Sequence, residues 1–370
     1  YNLLDPDYRE ATVRMDGVDI LDTIRLPFTG QIVGFSYFTH RRQHEFFAEP
    51  LQFAQAEIDH RFPNGENIFV DGSETHRYYV FKTTEPSDPG QFILFDNVRN
   101  KVTRLGSLNP ALASNVTKVD RIEFKSAGRS LTGFVTTALA APTTKLPLIV
   151  YPNPNPLTPQ WVRYEPLVQL FASRGYAVFQ ANTRGTPGFG HSLYAAGHKK
   201  SGTVEIDDLE AGIGALGRSG RIDPKRVCVI GHEYSGRTAL QLAARSDLIA
   251  CVATNIPALS LMDWVAPLGS FRPRGYYADV VANFGDKAHL NATGPAALAD
   301  QLDLPILYLH ERFANDAHRS FMVAMRRAGS TQLVARESQG HVAATLAMLA
   351  FVENQIGPGT LGATKEANVP

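Results

Sequence analysis

Apolar positions follow two regimes along the chain. From Gln31 to about Gly106 they come in short alternating or aromatic runs, Ile32-Val-Gly-Phe-Ser-Tyr-Phe38, Arg77-Tyr-Tyr-Val-Phe81 and Gln91-Phe-Ile-Leu-Phe95, divided by Asp-Gly and Asp-Pro-Gly turn signals. Alternation with that punctuation predicts antiparallel strands. One helix is expected to interrupt them near Pro50 to His60, where Leu51, Ala54 and Ile58 share a face. Leu108 to Lys118 reads as a linker. After it, Arg121-Ile-Glu-Phe124 and Leu131-Thr-Gly-Phe-Val135 open a second unit.

That unit alternates apolar strand candidates with helical patterns. The strands are expected at Leu146 to Tyr151, Tyr176 to Asn182, Arg226 to Ile230, Ile249 to Thr254, Pro305 to Leu309 and Leu333 to Ala335. Between them, Ile206, Leu209, Ile213 and Leu216 recur at helical spacing and predict one buried stripe. Alternating β and α argues for an α/β fold with a mostly parallel sheet covered on both faces. The domain reading is an antiparallel β region over 1–115, an α/β unit over 116–356 and a flexible tail over 357–370. Ala258 to Asp300 reads as a long irregular segment over the sheet's carboxyl edge, and no internal repeat is visible.

With 370 residues, 44% of them hydrophobic and 19% charged, the chain can bury two cores. Lys plus Arg (36) equals Asp plus Glu (36), so no net field points to nucleic acid or an anionic membrane. No stretch approaches the roughly 18 apolar residues of a membrane span. Cys228 and Cys251 lie in apolar runs and read as buried thiols rather than a disulfide or metal pair, which suits a reducing cytoplasm. The chain opens on Tyr1 without a signal pattern, and this start reads as a processed or trimmed end.

The chemistry concentrates at Arg226-Val-Cys-Val-Ile-Gly-His-Glu-Tyr-Ser-Gly-Arg-Thr-Ala-Leu240, a buried strand, a sharp glycine turn and a helix. This is the setting of the nucleophile elbow of α/β-hydrolases, Gly-x-Ser-x-Gly. Gly231 and Gly236 are in place, but Glu233 stands where the serine belongs and Ser235 where a glycine does.

Several further segments, in the same order, resemble the prolyl oligopeptidase family of serine peptidases, particularly its acylaminoacyl-peptidase-like and dipeptidyl-peptidase-like bacterial branch. They are Leu146-Pro-Leu-Ile-Val-Tyr-Pro152, Phe171-Ala-Ser-Arg-Gly-Tyr-Ala-Val178, Arg184-Gly-Thr-Pro-Gly-Phe-Gly190, Asp207-Asp-Leu209, Ile222-Asp-Pro-Lys-Arg-Val-Cys-Val-Ile-Gly231 and Gly340-His341. The resemblance implies an α/β-hydrolase domain preceded by a β-propeller, of which Gln31 to Gly106 would be the last portion. A whole propeller does not fit, so the missing blades were either lost from a larger protein or shed.

The departures fall on the chemistry. The family's His-Gly-Gly-Pro oxyanion loop is replaced by Asn153-Pro-Asn-Pro156, and Pro154 has a fixed φ and no N–H. Backbone N–H groups of Asn155 and Tyr234 remain as oxyanion candidates; losing one such donor typically costs about 2.7 to 4 kcal/mol. The resemblance places His341 at the base position and makes Asp316 the acid candidate, with Glu311 second. Each carboxylate also reads as a solvated loop residue or helix cap.

For Glu233 three readings stand. It ion-pairs with His341 and leaves a pseudoenzyme; it attacks saturated carbon as an aspartate does in some hydrolases, with an oxygen displaced by more than ~1 Å and a penalty on the order of 10²-fold; or Ser235 takes over as nucleophile. His232 and His310 read as packing or hydrogen-bonded histidines, the Arg184 to Gly190 loop as a structural turn, and Asp207 and Asp208 as helix caps or partners of Arg184. No cofactor and no metal site is expected. The partners expected are a peptide or small molecule in the former active-site cleft, a second copy of the chain, or the missing propeller portion.

Overall fold

The alternating runs pair into two small antiparallel sheets. The computed structural model describes residue 15 and residues 17–26, 29–110, 116–265, 283–312 and 315–361. Strands β1 (Ile20–Arg25), β2 (Ile32–Phe38) and β3 (Arg42–Phe46) form a three-stranded sheet in that order. Strands β4 (Glu66–Gly72), β5 (Tyr78–Glu85), β6 (Asp88–Asp96) and β7 (Lys101–Ser107) form a four-stranded meander. Helix α1 (Glu49–Arg61) joins the two sheets. A proline in its first turn, where the missing N–H matters least, helps to start it. Leu51, Ala54 and Ile58 are fully buried against Phe69, Tyr79, Phe81 and Phe95, so the helix supplies the apolar face that both sheets need.

The second unit is one eight-stranded sheet. Its strands are β8 (Thr117–Ser126), β9 (Arg129–Ala138), β10 (Leu146–Val150), β11 (Ala177–Ala181), β12 (Ile222–His232), β13 (Cys251–Asn255), β14 (Ile306–His310) and β15 (Leu333–Glu337). The order is β15-β14-β13-β12-β10-β11-β9-β8, with β9 antiparallel to both of its neighbours and the other pairings parallel.

The helices around this sheet are α2 (Pro166–Ser173), α3 (His191–Ala196), α4 (Val204–Arg218), α5 (Glu233–Arg245), α6 (Leu261–Val265), α7 (Lys287–Ala292), α8 (Asp316–Arg327) and α9 (His341–Ile356). One face packs α4, α5 and α8, with the predicted stripe Ile206, Leu209, Ile213 and Leu216 buried. The other face packs α2 and α9 through Phe171, Met348 and Val352. Both faces are covered, as a parallel sheet requires.

Three expectations change. Cys228 and Cys251 are joined as a disulfide, because the parallel register sets them directly opposite on β12 and β13 with Cα atoms 4.7 Å apart. Cysteine usage therefore no longer points to a reducing compartment. The stretch expected to be a flexible tail is anchored at its start: Arg226 Nε donates to the Ile356 carbonyl (2.6 Å), Tyr176 Oη to that of Gly357 (2.8 Å) and Thr360 N to that of Gly175 (3.2 Å). Residues 362–370 lie outside the described residues. Within 258–300, α6, α7 and a 3-10 turn over Pro295–Gln301 give regular structure, while 266–282 is not described. No described helix is long and apolar enough to cross a membrane.

Asp208 carries the sharpest buried interaction. Its fully buried carboxylate accepts from Arg184 Nε (2.9 Å), from Arg184 N (2.7 Å) and from Ser126 Oγ (2.5 Å), tying the loop after β11 to α4 and β8. Removing one partner of a buried pair leaves the other charge uncompensated. Asp208→Ala is therefore expected to lower stability by about 3–5 kcal/mol, read from its urea unfolding midpoint.

His44 on β3 supplies a pH dependence. Its two ring nitrogens are buried without a hydrogen-bond partner among the described residues, and burial, with Arg42 assisting, pushes its pKa down to about 4. The unfolded chain thus binds more protons than the folded chain between pH ~6.5 and ~4, so stability falls as pH drops through that window. Thermal unfolding across it should steepen by up to about 1.4 kcal/mol per pH unit, and His44→Leu should remove that contribution.

Candidate functional site

The site forms where β12 turns into α5 at the sheet's carboxyl edge. A Cβ at Gly231 would lie 2.4 Å from the Ser235 carbonyl oxygen, and one at Gly236 would lie 2.9 Å from Pro257 Cβ. Packing alone therefore demands both glycines. At the tip Glu233 takes φ +47°, a left-handed conformation that costs a non-glycine residue about 1–2 kcal/mol. Its side chain projects outward, 55% exposed, with Oε1 3.6 Å from His232 Nε2.

His232 is held from behind. Its Nδ1 lies 2.9 Å from the Asn255 carbonyl, and since a carbonyl can only accept, Nδ1 carries the proton. The next residue, Ile256, also sits at φ +47°, a true outlier for a β-branched side chain, and its N–H donates to the Leu309 carbonyl at 2.7 Å. Ala258 N returns a hydrogen bond to the Glu233 carbonyl at 2.8 Å. The elbow and the loop after β13 thus fix each other by reciprocal bonds.

His341 opens α9 after Gly340, whose φ of +93° suits only glycine. Its exposed ring meets His232 edge-on, centroids 5.9 Å apart at 83°. Glu165, at the N-cap of α2, lies within electrostatic reach of His341: burial raises its pKa, and the charges of Arg163 (3.4 Å) and His341 oppose the rise. The expected ion pair of Glu233 with His341 is not formed, because the partner within reach of Glu233 is His232.

Most other candidates are committed elsewhere. Asp316 is 95% exposed in the first turn of α8, where it pairs with Arg319 and favours the helix dipole. The cap itself is Asn315, which accepts from His318 N at 2.8 Å. Asp316 is therefore not brought to His341. Glu311 is exposed, its carbonyl 2.8 Å from His310 Nδ1, and His310 packs half-buried against His318 and Tyr308. Phe313 and Ala314 lie outside the described residues.

Ser235 is fully buried. Its Oγ accepts from His232 N at 2.9 Å and donates to the His232 carbonyl at 2.8 Å, which makes it a lock on the helix start rather than a free hydroxyl.

The loop over residues 153–158 closes on itself. Asn155 N donates to Asn153 Oδ1 (3.1 Å), Leu157 N to Asn155 Oδ1 (3.0 Å) and Asn153 Nδ2 to the Thr158 carbonyl (2.7 Å). The Asn155 donor is thus already spent. The Tyr234 N–H remains in the first turn of α5, where no intrahelical acceptor exists. The Tyr234 ring packs on Trp264 and Phe284, and its hydroxyl lies 3.4 Å from Ser201 Oγ. Beside it is a cavity of about 90 Å³ lined by Asn153, Leu157, Arg184, Glu205, Tyr234 and Phe284. Burial raises the Glu205 pKa there, while hydrogen bonds from Gly202 N and Thr203 N oppose the rise.

Sequence reasoning missed Glu165 and undervalued His232. Only the second had a legible signal, its place next to Glu233 at a strand end.

Comparison with known proteins gives the same frame. The sequence profile of the Prolyl oligopeptidase family matches residues 163–281. An uncharacterized peptidase, YuxL, of Bacillus subtilis is 26% identical over 207 residues, 54% of this chain and 31% of that protein. Dipeptidyl aminopeptidase BIII of Pseudoxanthomonas mexicana is 25% identical over 169 residues, 44% of this chain and 24% of that protein. The uncomplexed acylaminoacyl peptidase of Pyrococcus horikoshii superposes with a TM-score of 0.69 at 17% identity, covering 95% of this chain and 58% of that one. The matched stretch is thus less than a third of these two sequence relatives.

Ser235→Ala deletes a cap hydrogen bond in each direction. It is expected to lower the unfolding free energy by about 0.5–2 kcal/mol in chemical denaturation.

Proposed function

Because the chain belongs to the prolyl oligopeptidase family, related to acylaminoacyl and dipeptidyl peptidases, yet carries a carboxylate at its elbow tip, we propose that it is a peptidase homologue that binds ligands in its cleft without acyl transfer. One observation carries this reading: the tip is Glu233, and the serine two residues on, Ser235, is buried and hydrogen-bonded in both directions to the backbone of His232. A carboxylate attacking an amide would have to form an anhydride while expelling an amine, which is uphill, whereas a serine forms an ester that water can cleave. The spent Asn155 donor removes a second contribution, since one missing oxyanion donor costs about 2.7–4 kcal/mol. The occupant of the cleft is taken to be a peptide or small molecule, reaching the cavity beside Tyr234.

The test is labelling of the purified chain with a fluorophosphonate probe, together with turnover of peptide and ester substrates. No label and no turnover are expected. Labelling that disappears in Ser235→Ala would overturn the reading in favour of the shifted serine, and turnover that disappears in Glu233→Gln would establish the carboxylate as nucleophile.

A further inference from the structure

A second cavity, of about 490 Å³, opens where α4 ends and leaves part of β8 uncovered. Along β8 the residues Lys118, Asp120, Ile122, Phe124 and Ser126 share one face, by the two-residue alternation of a strand. Phe124 and Ser126 lie under α4: a Cβ at Gly212 would come within 3.3 Å of the Phe124 ring, and Ser126 bonds to Asp208. Lys118, Asp120 and Ile122, nearer the start of the strand, instead line the cavity together with the last turn of the helix.

The volume lies in the range of small-molecule sites, about 300–1,000 Å³. Its place differs from that of the elbow. Leu146 opens β10 and Arg221 immediately precedes β12, and both line the cavity, so it sits at the amino edge of the sheet whose carboxyl edge carries Glu233.

The base of the cavity is apolar and its rim is charged. Leu146 and Leu216 are buried at its base, with Ile122 packed against the same cluster. At the rim the charges cancel in pairs with one left over. Arg221 pairs with Asp120, and Glu123 pairs with Arg121 at 3.2 Å. The Arg221 carbonyl also accepts from Leu146 N at 3.1 Å, which fixes this side of the rim. Lys118 is exposed and has no ion pair among the described residues. An apolar cleft with one uncompensated cation on its rim complements a molecule with an apolar body and a single negative charge. A second cation there would meet repulsion from Lys118.

We propose that this cavity binds a small amphipathic monocarboxylate, with its hydrocarbon body on Ile122, Leu146 and Leu216 and its carboxylate on Lys118. The inference goes beyond the reading of the elbow and does not rest on it, because the two cavities share no lining residue.

The experiment is calorimetric titration of sodium octanoate into the whole chain, with octanol and octylammonium chloride as probes of equal length. One saturable site per chain is expected. It should bind octanoate about two- to fivefold more tightly than octanol, the scale of one exposed ion pair, and octylammonium more weakly than either. Lys118→Glu, at an exposed position that keeps the fold, should reverse the order of octanoate and octylammonium and leave octanol unchanged. Ala215→Leu places a good helix former in the last turn of α4 and fills the cleft, so it should weaken octanoate and octanol by about tenfold or more. Absence of a saturable site, octanol bound as tightly as octanoate, or an unchanged order in Lys118→Glu would overturn the proposal. Binding that survives Ala215→Leu in full would overturn it too, by placing the ligand elsewhere, the cavity beside Tyr234 included.

Discussion

The close crossing of β12 and α5 governs the site. Gly231 passes so near the Ser235 carbonyl that no side chain fits, and this contact forces the chain through a left-handed residue at 233 whatever that residue is. The same crossing sets the His232 backbone against Ser235 Oγ and its ring against the loop after β13. Packing thus holds the tip in place, and the tip presents the Glu233 carboxylate. Both strained residues, Glu233 and Ile256, persist because surrounding hydrogen bonds over-determine them.

Much of the fold was legible because its signals are local. The stripe on α4 and the face of α1 follow from helical periodicity, and the order of apolar runs predicted the covered parallel sheet. What failed depends on partners distant in sequence or on side-chain direction. The pairing of Cys228 with Cys251 follows from register between strands separated by a helix, which spacing does not encode. Asp316 was misplaced because a carboxylate at a helix start meets an arginine three residues on, and that local pair wins over reaching across to His341. Glu165 lies far from both Glu233 and His341 in sequence, and the packing of α2 and α9 on one face of the sheet puts it within electrostatic reach of the imidazole.

The N-terminal sheets bear on the site through one short segment. Trp161 donates Nε1–H to Glu66 at 3.0 Å and packs its ring 4.7 Å from Phe38, while Val162 N donates to the His40 carbonyl at 3.0 Å. Arg163 then stacks over Trp161 at 4.2 Å and pairs with Glu165. A continuous run of contacts therefore leads from β2 and β4 to the Glu165 carboxylate. On the far side of the loop after β11, the Asp19 carboxylate accepts from Gly188 N (3.0 Å) and Gly190 N (3.1 Å). The antiparallel unit is part of what holds the site loops.

The Glu233 carboxylate at the tip also sets the electrostatics of the cleft. Acyl transfer develops negative charge on the substrate oxygen. A fixed carboxylate about 4 Å away opposes it by up to about 4 kcal/mol at an effective dielectric near 20, and by less where, as at Glu233, water screens the group. That penalty has the same sign as the loss of an oxyanion donor, about 2.7–4 kcal/mol, so the two losses compound instead of offsetting each other. The carboxylate at the tip thus sets the field of the cleft, within a backbone that packing maintains.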